Sequence, residues 1–230
     1  MQKSFNSTWE KIHEKRLKDN CLWGGYPCED VIRFMARNYY GAADRKNIKV
    51  CDMGCGSGAN TWYLCNEGFD VYGFDGSESA IEQAKNVMNE HRYNPSLKIA
   101  DALNTGYEDE MFDVVIDNVS MCNMSESNLK LLYREAYRIT KAGAKMFTSG
   151  FTINTHGVKG GEYLEKGTYT HIKEGNVSSF DNILHVWESI EHVKNFFADT
   201  GWDIKSLDTV AWTDYNGEIA NEKYIIYLQK

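Results

Sequence analysis

Short apolar runs alternate with amphipathic segments through the middle of this chain. Runs rich in Val, Ile, Phe and Tyr predict β-strands, and segments with apolar residues three and four positions apart predict α-helices. The predicted strands cover residues 48–51, 69–74, 97–100, 112–118 and 144–151. One predicted helix begins at residue 59, and two others cover residues 77–90 and 125–139. Strands that alternate with helices in this way indicate an α/β domain.

The first predicted strand leads directly into a glycine-rich turn, since residues 50–58 read VCDMGCGSG. Asp52 lies on the strand side of this turn, and Gly54, Gly56 and Gly58 form it. Glycine adopts backbone angles that other residues resist, and it removes the side chains that would keep a ligand away from the main chain. A strand, a glycine turn and a helix in this order predict a nucleotide-type cofactor site.

Two more acids follow the next two strands. Asp75 ends the second strand, where it is predicted to accept hydrogen bonds from a ribose diol, as the acid does in dinucleotide folds. Asp101 follows the third strand. The glycines alone do not decide between a dinucleotide and another nucleotide-type cofactor, because they also satisfy the relaxed dinucleotide fingerprint that ends in alanine. Asp52 and Asp101 together separate dinucleotides from other nucleotide-type cofactors.

With these residues in place, the chain resembles the class I S-adenosylmethionine-dependent methyltransferases from about residue 48 to residue 151. The resemblance implies that Asp52 and the glycines face the methionine part of the cofactor, that Asp75 holds the ribose, and that Asp101 meets the adenine amino group. The cofactor that it implies is S-adenosylmethionine, with S-adenosylhomocysteine as the product. The implied cofactor-binding residues are Trp23, Asp52, Gly54, Cys55, Gly56, Gly58, Asn60, Asp75, Gly76, Ser77, Asp101, Ala102 and Asn118.

The resemblance continues into the second half of the chain. Residues 112–118 look like the fourth strand of that family, and residues 133–143 look like the helix and turn before its fifth strand. Ala142 departs from the family, which often has proline there. After a predicted helix at 189–200, a hairpin that opens at Trp202 and returns over 222–229 resembles the terminal strands six and seven. The expected fold is therefore a Rossmann-like, seven-stranded α/β sheet with helices on both faces.

We expect one domain with four segments. Residues 1–45 contain two predicted helices, at 7–18 and 29–40, and form either a helical lid over the cofactor or a cover for the edge of the domain. Residues 46–151 form the cofactor-binding core. Residues 152–186 are polar and too long for an idle connection, and they leave the edge where open α/β sheets bind ligands, so we assign them to substrate binding. Residues 187–230 form the C-terminal helix and hairpin.

The candidate catalytic residues are His156 and His171, both in the insertion formed by residues 152–186, and Asp117 at the end of the fourth strand. Methyl transfer needs a general base only if the acceptor atom starts protonated, and histidine titrates near neutrality. A histidine in a polar loop can equally be a surface residue, and Asp117 can serve only to orient the cofactor. His185 lies in an apolar context, which is more typical of a strand or core position.

Aromatic and thioether side chains are the remaining candidates for the acceptor pocket. Tyr163, Tyr169 and Phe180 can form an aromatic wall that attracts a cation, or they can pack the insertion against the sheet. Met121 follows the fourth strand and is expected to shape the pocket near the methyl donor.

Composition narrows the expected partners. The 230-residue chain has a net charge of −8, and nucleic-acid binding draws on basic patches, so a small molecule is the expected substrate. The expected active-site loop, residues 117–120, also lacks the Asp/Asn-Pro-Pro-aromatic sequence of the methyltransferases that methylate amino groups of DNA. The six cysteines form no Cys-x-x-Cys pair and have no neighbouring histidines, which predicts no metal site. We find no stretch long enough to span a bilayer and expect a cytoplasmic protein with no membrane partner.

Two rival functions remain open at this point. The first is an NAD-dependent oxidoreductase, although residues 110–200 contain no Tyr-x-x-x-Lys pair or comparable hydride-transfer signature. The second is a protein that binds S-adenosylmethionine without turnover. The sequence predicts neither the acceptor atom nor the oligomeric state.

Overall fold

Seven strands form the main sheet in the computed structural model, which describes residues 7–19, 25–120, 122–177 and 183–230. The strands that we number first are β1 (Lys49–Met53), β2 (Asp70–Asp75), β3 (Ser96–Ile99), β4 (Phe112–Asn118) and β5 (Thr140–Phe151). They pair in parallel in the order β3-β2-β1-β4-β5. Parallel strands place their carboxyl ends at one edge, so the ends of all five lie along the same side of the sheet.

A long antiparallel hairpin completes this sheet. Its strands are β9 (Asp203–Asp214) and β10 (Ile219–Gln229), and β10 lies between β5 and β9. The predicted pairing of the C-terminal hairpin is therefore confirmed. The classical dinucleotide fold has the order 3-2-1-4-5-6, and the antiparallel strand inserted beside β5 distinguishes this sheet from it.

Helices cover both faces of the sheet, as predicted. The helices are α1 (Ser7–Lys18), α2 (Glu29–Tyr39), α3 (Ala59–Asn66), α4 (Glu78–Glu90), α5 (Glu126–Ile139) and α6 (Ile190–Ala198). Val50 packs with side chains of α2 and α3, whereas its neighbour Cys51 packs with side chains of α5 and α6. Successive side chains of a strand point to opposite faces, so β1 is buried on both sides, which explains its continuous apolar run.

Polar caps explain where several helices begin. Ser77 accepts a hydrogen bond from the Ala80 amide at the start of α4, and Ser125 and Ser189 cap α5 and α6 in the same way. The fifth strand begins earlier than the predicted residue 144, because β5 continues directly from α5 at Thr140.

The segment between β5 and α6 forms a second, smaller antiparallel sheet. It consists of β6 (Glu162–Glu165), β7 (Thr168–Thr170) and β8 (Leu184–His185), in that order. Its apolar residues form their own cluster with Cys122 from the loop after β4. The insertion therefore packs against the carboxyl edge of the main sheet. In the described part of the chain, no helix is both long and apolar enough to cross a membrane.

Candidate cofactor and acceptor site

The glycine turn joins the end of β1 to the start of α3. Gly54, Gly56 and Gly58 all have positive φ angles, of 64°, 53° and 90°. A Cβ atom on Gly58 would lie 3.1 Å from the Cβ of Ala84, so this glycine also lets α3 approach α4 closely. The N-cap residue of α3 is Gly58, which has no side chain to cap the helix, and amide groups at a helix start attract negatively charged ligand groups.

Asp52 lies beneath this turn and is almost completely buried, at 2% exposure. Its Oδ2 atom accepts a hydrogen bond of 2.6 Å from the Thr61 hydroxyl. The pKa of Asp52 is raised to about 7: burial is the largest cause, the nearby carboxylates of Asp75 and Asp117 add to it, and hydrogen bonding from Thr61 opposes it. A cationic ligand group at this position would favour the ionised acid.

Asp75 ends β2 and faces the same turn. Its Oδ2 accepts a hydrogen bond from the Gly56 amide at 3.0 Å, and its Oδ1 accepts one from the Ser77 amide at 2.9 Å. Burial raises its pKa, although these amides and the nearby His13 favour the charged form. A carboxylate has about four acceptor positions, so Asp75 retains lone pairs for a ribose diol while it holds the turn in place.

Asp101 follows β3, one strand further along the same edge. Its Oδ1 accepts a hydrogen bond of 2.9 Å from the Leu103 amide, which shapes the short turn after the strand. Ala102 in this turn packs against the core. The Ala100 amide donates to the Asp75 carbonyl at 3.0 Å, and this bond ties the ends of β2 and β3 together.

Several predicted cofactor-binding side chains are engaged within the protein. Cys55 is buried against Gly73, Asn60 accepts a hydrogen bond from the Cys28 amide at 3.0 Å, and Ser77 caps α4. These residues, and Gly76 beside Asp75, can contact the ligand through their backbone atoms or line its pocket. Trp23 lies outside the described residues.

Asp117 belongs to a buried hydrogen-bond network. Its Oδ2 accepts from the Tyr133 hydroxyl at 3.0 Å and from the Thr148 hydroxyl at 2.8 Å. Its Oδ1 accepts from the amide of Ser120 at 3.1 Å. The hydroxyl of Ser120 donates to the Gly54 carbonyl at 2.9 Å. Asp117 therefore connects β4, β5 and α5, and through Ser120 it holds the loop after β4 against the glycine turn.

The next residues of this loop face the insertion. Asn118 accepts a hydrogen bond from the Ser149 hydroxyl at 3.2 Å, and Val119 has a positive φ of 60°. A branched residue rarely adopts such an angle, which marks this loop as locally strained. Met121, predicted to shape the pocket, lies outside the described residues.

The two predicted histidines lie on the insertion, apart from each other. His156 Nε2 is 4.0 Å from the Glu174 carboxylate, and His171 Nδ1 is 3.3 Å from the Glu162 carboxylate. Among the described contacts, none joins either histidine to Asp117. Their catalytic role remains a prediction.

The structure describes two of the three residues of the predicted aromatic wall, Tyr163 and Tyr169. The rings of Tyr163 and Tyr169 pack edge to face with centroids 5.6 Å apart, and Tyr163 is exposed. Phe180 lies outside the described residues. The tyrosines therefore support each other on the surface of the insertion.

A histidine on α1, His13, was not among the predicted residues. The Glu10 carboxylate accepts hydrogen bonds from the amide and the hydroxyl of Ser79, at 3.2 and 2.6 Å, and this contact clamps α1 to the start of α4. His13 is buried at the same interface, and its Cε1 would lie 4.0 Å from a Cβ on Gly56. Burial lowers its pKa, while the Asp75 carboxylate raises it. The helix therefore covers the glycine turn with a polar face, which a search for apolar stripes does not detect.

Comparisons with known proteins agree with this architecture. The profile of a methyltransferase domain family matches residues 44–204. A ubiquinone biosynthesis O-methyltransferase from Pelagibacter ubique is 27% identical over 125 residues, which are 53% of this chain and 51% of that protein. The chain therefore spans about half the length of this curated relative.

Solved structures share the fold at low sequence identity. A SAM-dependent methyltransferase from Methanosarcina mazei has a TM-score of 0.68 at 19% identity, covering 79% of this chain and 92% of that chain. The 1,6-didemethyltoxoflavin N1-methyltransferase of Burkholderia thailandensis, solved with bound 1,6-didemethyltoxoflavin and S-adenosylhomocysteine, also has a TM-score of 0.68, at 10% identity, covering 97% of this chain and 87% of that chain. Since the family profile matches most of the chain, and the strand order and strand-end acids agree with it, this chain belongs to the class I S-adenosylmethionine-dependent methyltransferases.

Proposed function

We propose that this protein transfers the methyl group of S-adenosylmethionine to an oxygen or nitrogen atom of a small metabolite or sugar-like biosynthetic intermediate in the cytoplasm. The observation that carries the proposal is the common edge of the sheet, where Asp52, Asp75 and Asp101 lie at or just beyond the carboxyl ends of three neighbouring strands. The start of α3, whose N-cap residue Gly58 has no side chain, lies at the same edge. One edge thus offers acceptors for a cation and a diol and donors for an anion.

The residues of this edge fit the proposed cofactor part by part. The amides at the start of α3 suit the carboxylate of S-adenosylmethionine, and the buried Asp52 suits the positive charge of this cofactor. The free lone pairs of Asp75 suit the ribose hydroxyls, and Asp101 suits the adenine amino group. His13 and Glu10 add a cover from α1 that limits access of water.

The cofactor would supply an activated methyl group on a sulfonium. Transfer of this methyl group would leave a neutral thioether. The acceptor's lone pair would form the new bond to carbon as the carbon–sulfur bond breaks, so the chain's residues need mainly to align the acceptor and exclude water. We assign alignment of the acceptor to the insertion, residues 152–186, and keep Asn118 among the cofactor-binding residues. His156 or His171 would take the acceptor's proton where it has one.

Asp117 has a different role in this proposal. Both of its carboxylate oxygens already accept hydrogen bonds inside the protein, so it is poorly placed to take a proton from an acceptor. We propose that it is a positioning residue, which holds the loop after β4 beside the glycine turn through Ser120.

The experiment that tests the proposal has two stages. Calorimetric titration with S-adenosylhomocysteine, S-adenosylmethionine and NAD should give saturable binding of the first two and none of NAD; binding of NAD alone would refute it. Incubation with methyl-labelled S-adenosylmethionine and a panel of small hydroxylated and amine acceptors should then give a labelled product by mass spectrometry. Cofactor binding without transfer to any acceptor would favour the non-catalytic alternative.

Variants of the insertion test the division between cofactor and acceptor. We expect His156→Ala and His171→Ala to leave the dissociation constant of S-adenosylhomocysteine nearly unchanged and to alter turnover. Loss of cofactor affinity with unaltered turnover at saturation would contradict the assignment. Lys173→Ala, also on the insertion, is a surface control.

A further inference from the structure

Three side chains with metal-binding atoms meet beside the insertion, away from the glycine turn. They are Glu126 from the first turn of α5, His185 from β8 and His192 from α6. The Glu126 Oε2 atom lies 2.9 Å from His192 Nε2 and 3.7 Å from His185 Nε2, and the three possible ligand atoms all lie within 4.8 Å of one another. The sequence predicted no metal site, because Glu126 is far from both histidines along the chain.

This cluster is buried and incompletely hydrogen-bonded. The two histidine side chains are each 2% exposed and that of Glu126 is 14% exposed. Within the described part of the chain, His185 Nε2 is buried without a hydrogen-bond partner, since 3.7 Å is too long for one. A buried polar atom without a partner needs an explanation, and an ion is one of the few available.

The spacing fits a single tetrahedral ion. Zinc binds nitrogen and oxygen at about 2.0–2.1 Å, which places neighbouring ligand atoms roughly 3.4 Å apart. The two measured separations, 2.9 and 3.7 Å, lie on either side of that value. We propose that Glu126, His185 and His192 bind a divalent transition metal ion, with Zn²⁺ the best match to two imidazoles and one carboxylate.

The surroundings of the cluster define what binding of the ion must change. A Cβ on Gly167, in the turn between β6 and β7, would lie 2.9 Å from His185 Nε2, so a larger residue at this position would crowd that nitrogen. His192 Nδ1 accepts a hydrogen bond of 3.3 Å from the Glu188 amide. Without an ion, His192 therefore carries its proton on Nε2 and donates it to Glu126. Coordination through Nε2 moves that proton to Nδ1 and breaks the contact with Glu188.

The ion would join three parts of the molecule that otherwise meet through few polar contacts. The His185 amide donates to the Cys122 carbonyl at 2.6 Å, and the Glu126 amide donates to the Thr168 hydroxyl at 3.3 Å. Coordination adds a link from α5 and α6 to the insertion. Three protein ligands fill three of four tetrahedral positions and leave the last to water.

The test uses the full chain purified without a histidine tag. After removal of metal with a chelator, the protein is equilibrated with Zn²⁺, desalted and analysed by elemental mass spectrometry. We expect one Zn²⁺ per chain, and a tetrahedral Co²⁺ absorption spectrum when Co²⁺ is used instead. No bound ion, or an octahedral Co²⁺ spectrum, would overturn the proposal.

Matched variants locate the ion. Glu126→Gln and His185→Gln should weaken Zn²⁺ binding more than about 100-fold, since even groups that only support a ligand are worth 10–100-fold. His171→Gln is the control, because it removes an exposed histidine beside a carboxylate and should retain one Zn²⁺ per chain. Equal loss in the control would place the ion elsewhere and refute the site.

A measurement on the unmutated protein covers the case of variants that fail to fold. Nitrogen NMR of the histidine rings should report a change of His192 from the Nε2-protonated to the Nδ1-protonated form when Zn²⁺ is added. An unchanged tautomer in the presence of bound Zn²⁺ would exclude His192 as a ligand. None of these readouts depends on methyl transfer.

Discussion

Replacing Asp52 with asparagine should change the pH dependence of stability in a defined direction. Asp52 is almost completely buried, and burial is the largest cause of its raised pKa, about 7 against an ordinary value of 3.8. Asparagine has nearly the same size and keeps an oxygen that can accept the hydrogen bond from Thr61. The substitution therefore removes the charge and changes the packing little.

The sign follows from proton binding. Between pH 4 and 7 the folded protein holds a proton on Asp52 that the unfolded chain has released, so this acid's contribution to stability is complete below about pH 4 and is lost as the pH rises through about 7. The difference between the two pKa values corresponds to roughly 4 kcal/mol. Asp52→Asn has no such dependence. We expect similar stabilities near pH 4.5 and a variant more stable by about 2–4 kcal/mol at pH 8.

Urea denaturation of both proteins at half-unit steps between pH 4.5 and 8 measures this difference. Taking the difference between the proteins largely cancels the contributions of the other acids. A difference that stays constant across the range would refute the burial argument for Asp52. In the same protein, affinity for S-adenosylmethionine should fall by about 1.5–3 kcal/mol, the value of hydrogen bonds to a charged group, because the cation loses its buried counter-charge.

Two further substitutions test the turn and the ribose site. Asp75→Ala should weaken binding of S-adenosylhomocysteine by about 1–3 kcal/mol, measured by calorimetry, while Asp70→Ala at the opposite end of β2 should not; equal effects would remove Asp75 from the site. Gly58→Ala should lower the free energy of unfolding by about 1–2 kcal/mol more than Gly68→Ala, because both glycines have positive φ but only Gly58 has a neighbour, Ala84, within 4 Å of the added carbon. Equal losses in thermal denaturation would show that close packing of α3 on α4 is unimportant.

The cofactor edge could be predicted because its information is local in sequence. Asp52, Asp75 and Asp101 each follow a recognisable strand, and parallel strands bring their carboxyl ends to one edge. The starts of α4 and α5 were likewise predicted from the sequence, at residues 77 and 125. Once strand order is fixed, no long-range packing information is needed to bring these residues together.

Other features depend on contacts that periodicity does not encode. The strands of the insertion have two to four residues, which is too short for an alternating pattern to stand out. His13 was missed because the contacting face of α1 is polar. Asp117 was identified by its place at the end of β4, but its hydrogen bonds to Tyr133 and Thr148 come from elements later in the chain.

The buried acids also explain why this edge should be less stable empty than loaded. Asp52, Asp75 and Asp117 influence one another's charge, and burial disfavours the ionised forms of the first two. A bound cation relieves this repulsion and makes the charged state of Asp52 favourable at neutral pH, so binding should release a proton below about pH 7. Because linkage is reciprocal, a higher pH strengthens cofactor binding and weakens the empty fold through the same carboxyl group. The ionised form of Asp52, which burial disfavours in the free protein, is thus the form expected to bind the positive charge of the cofactor.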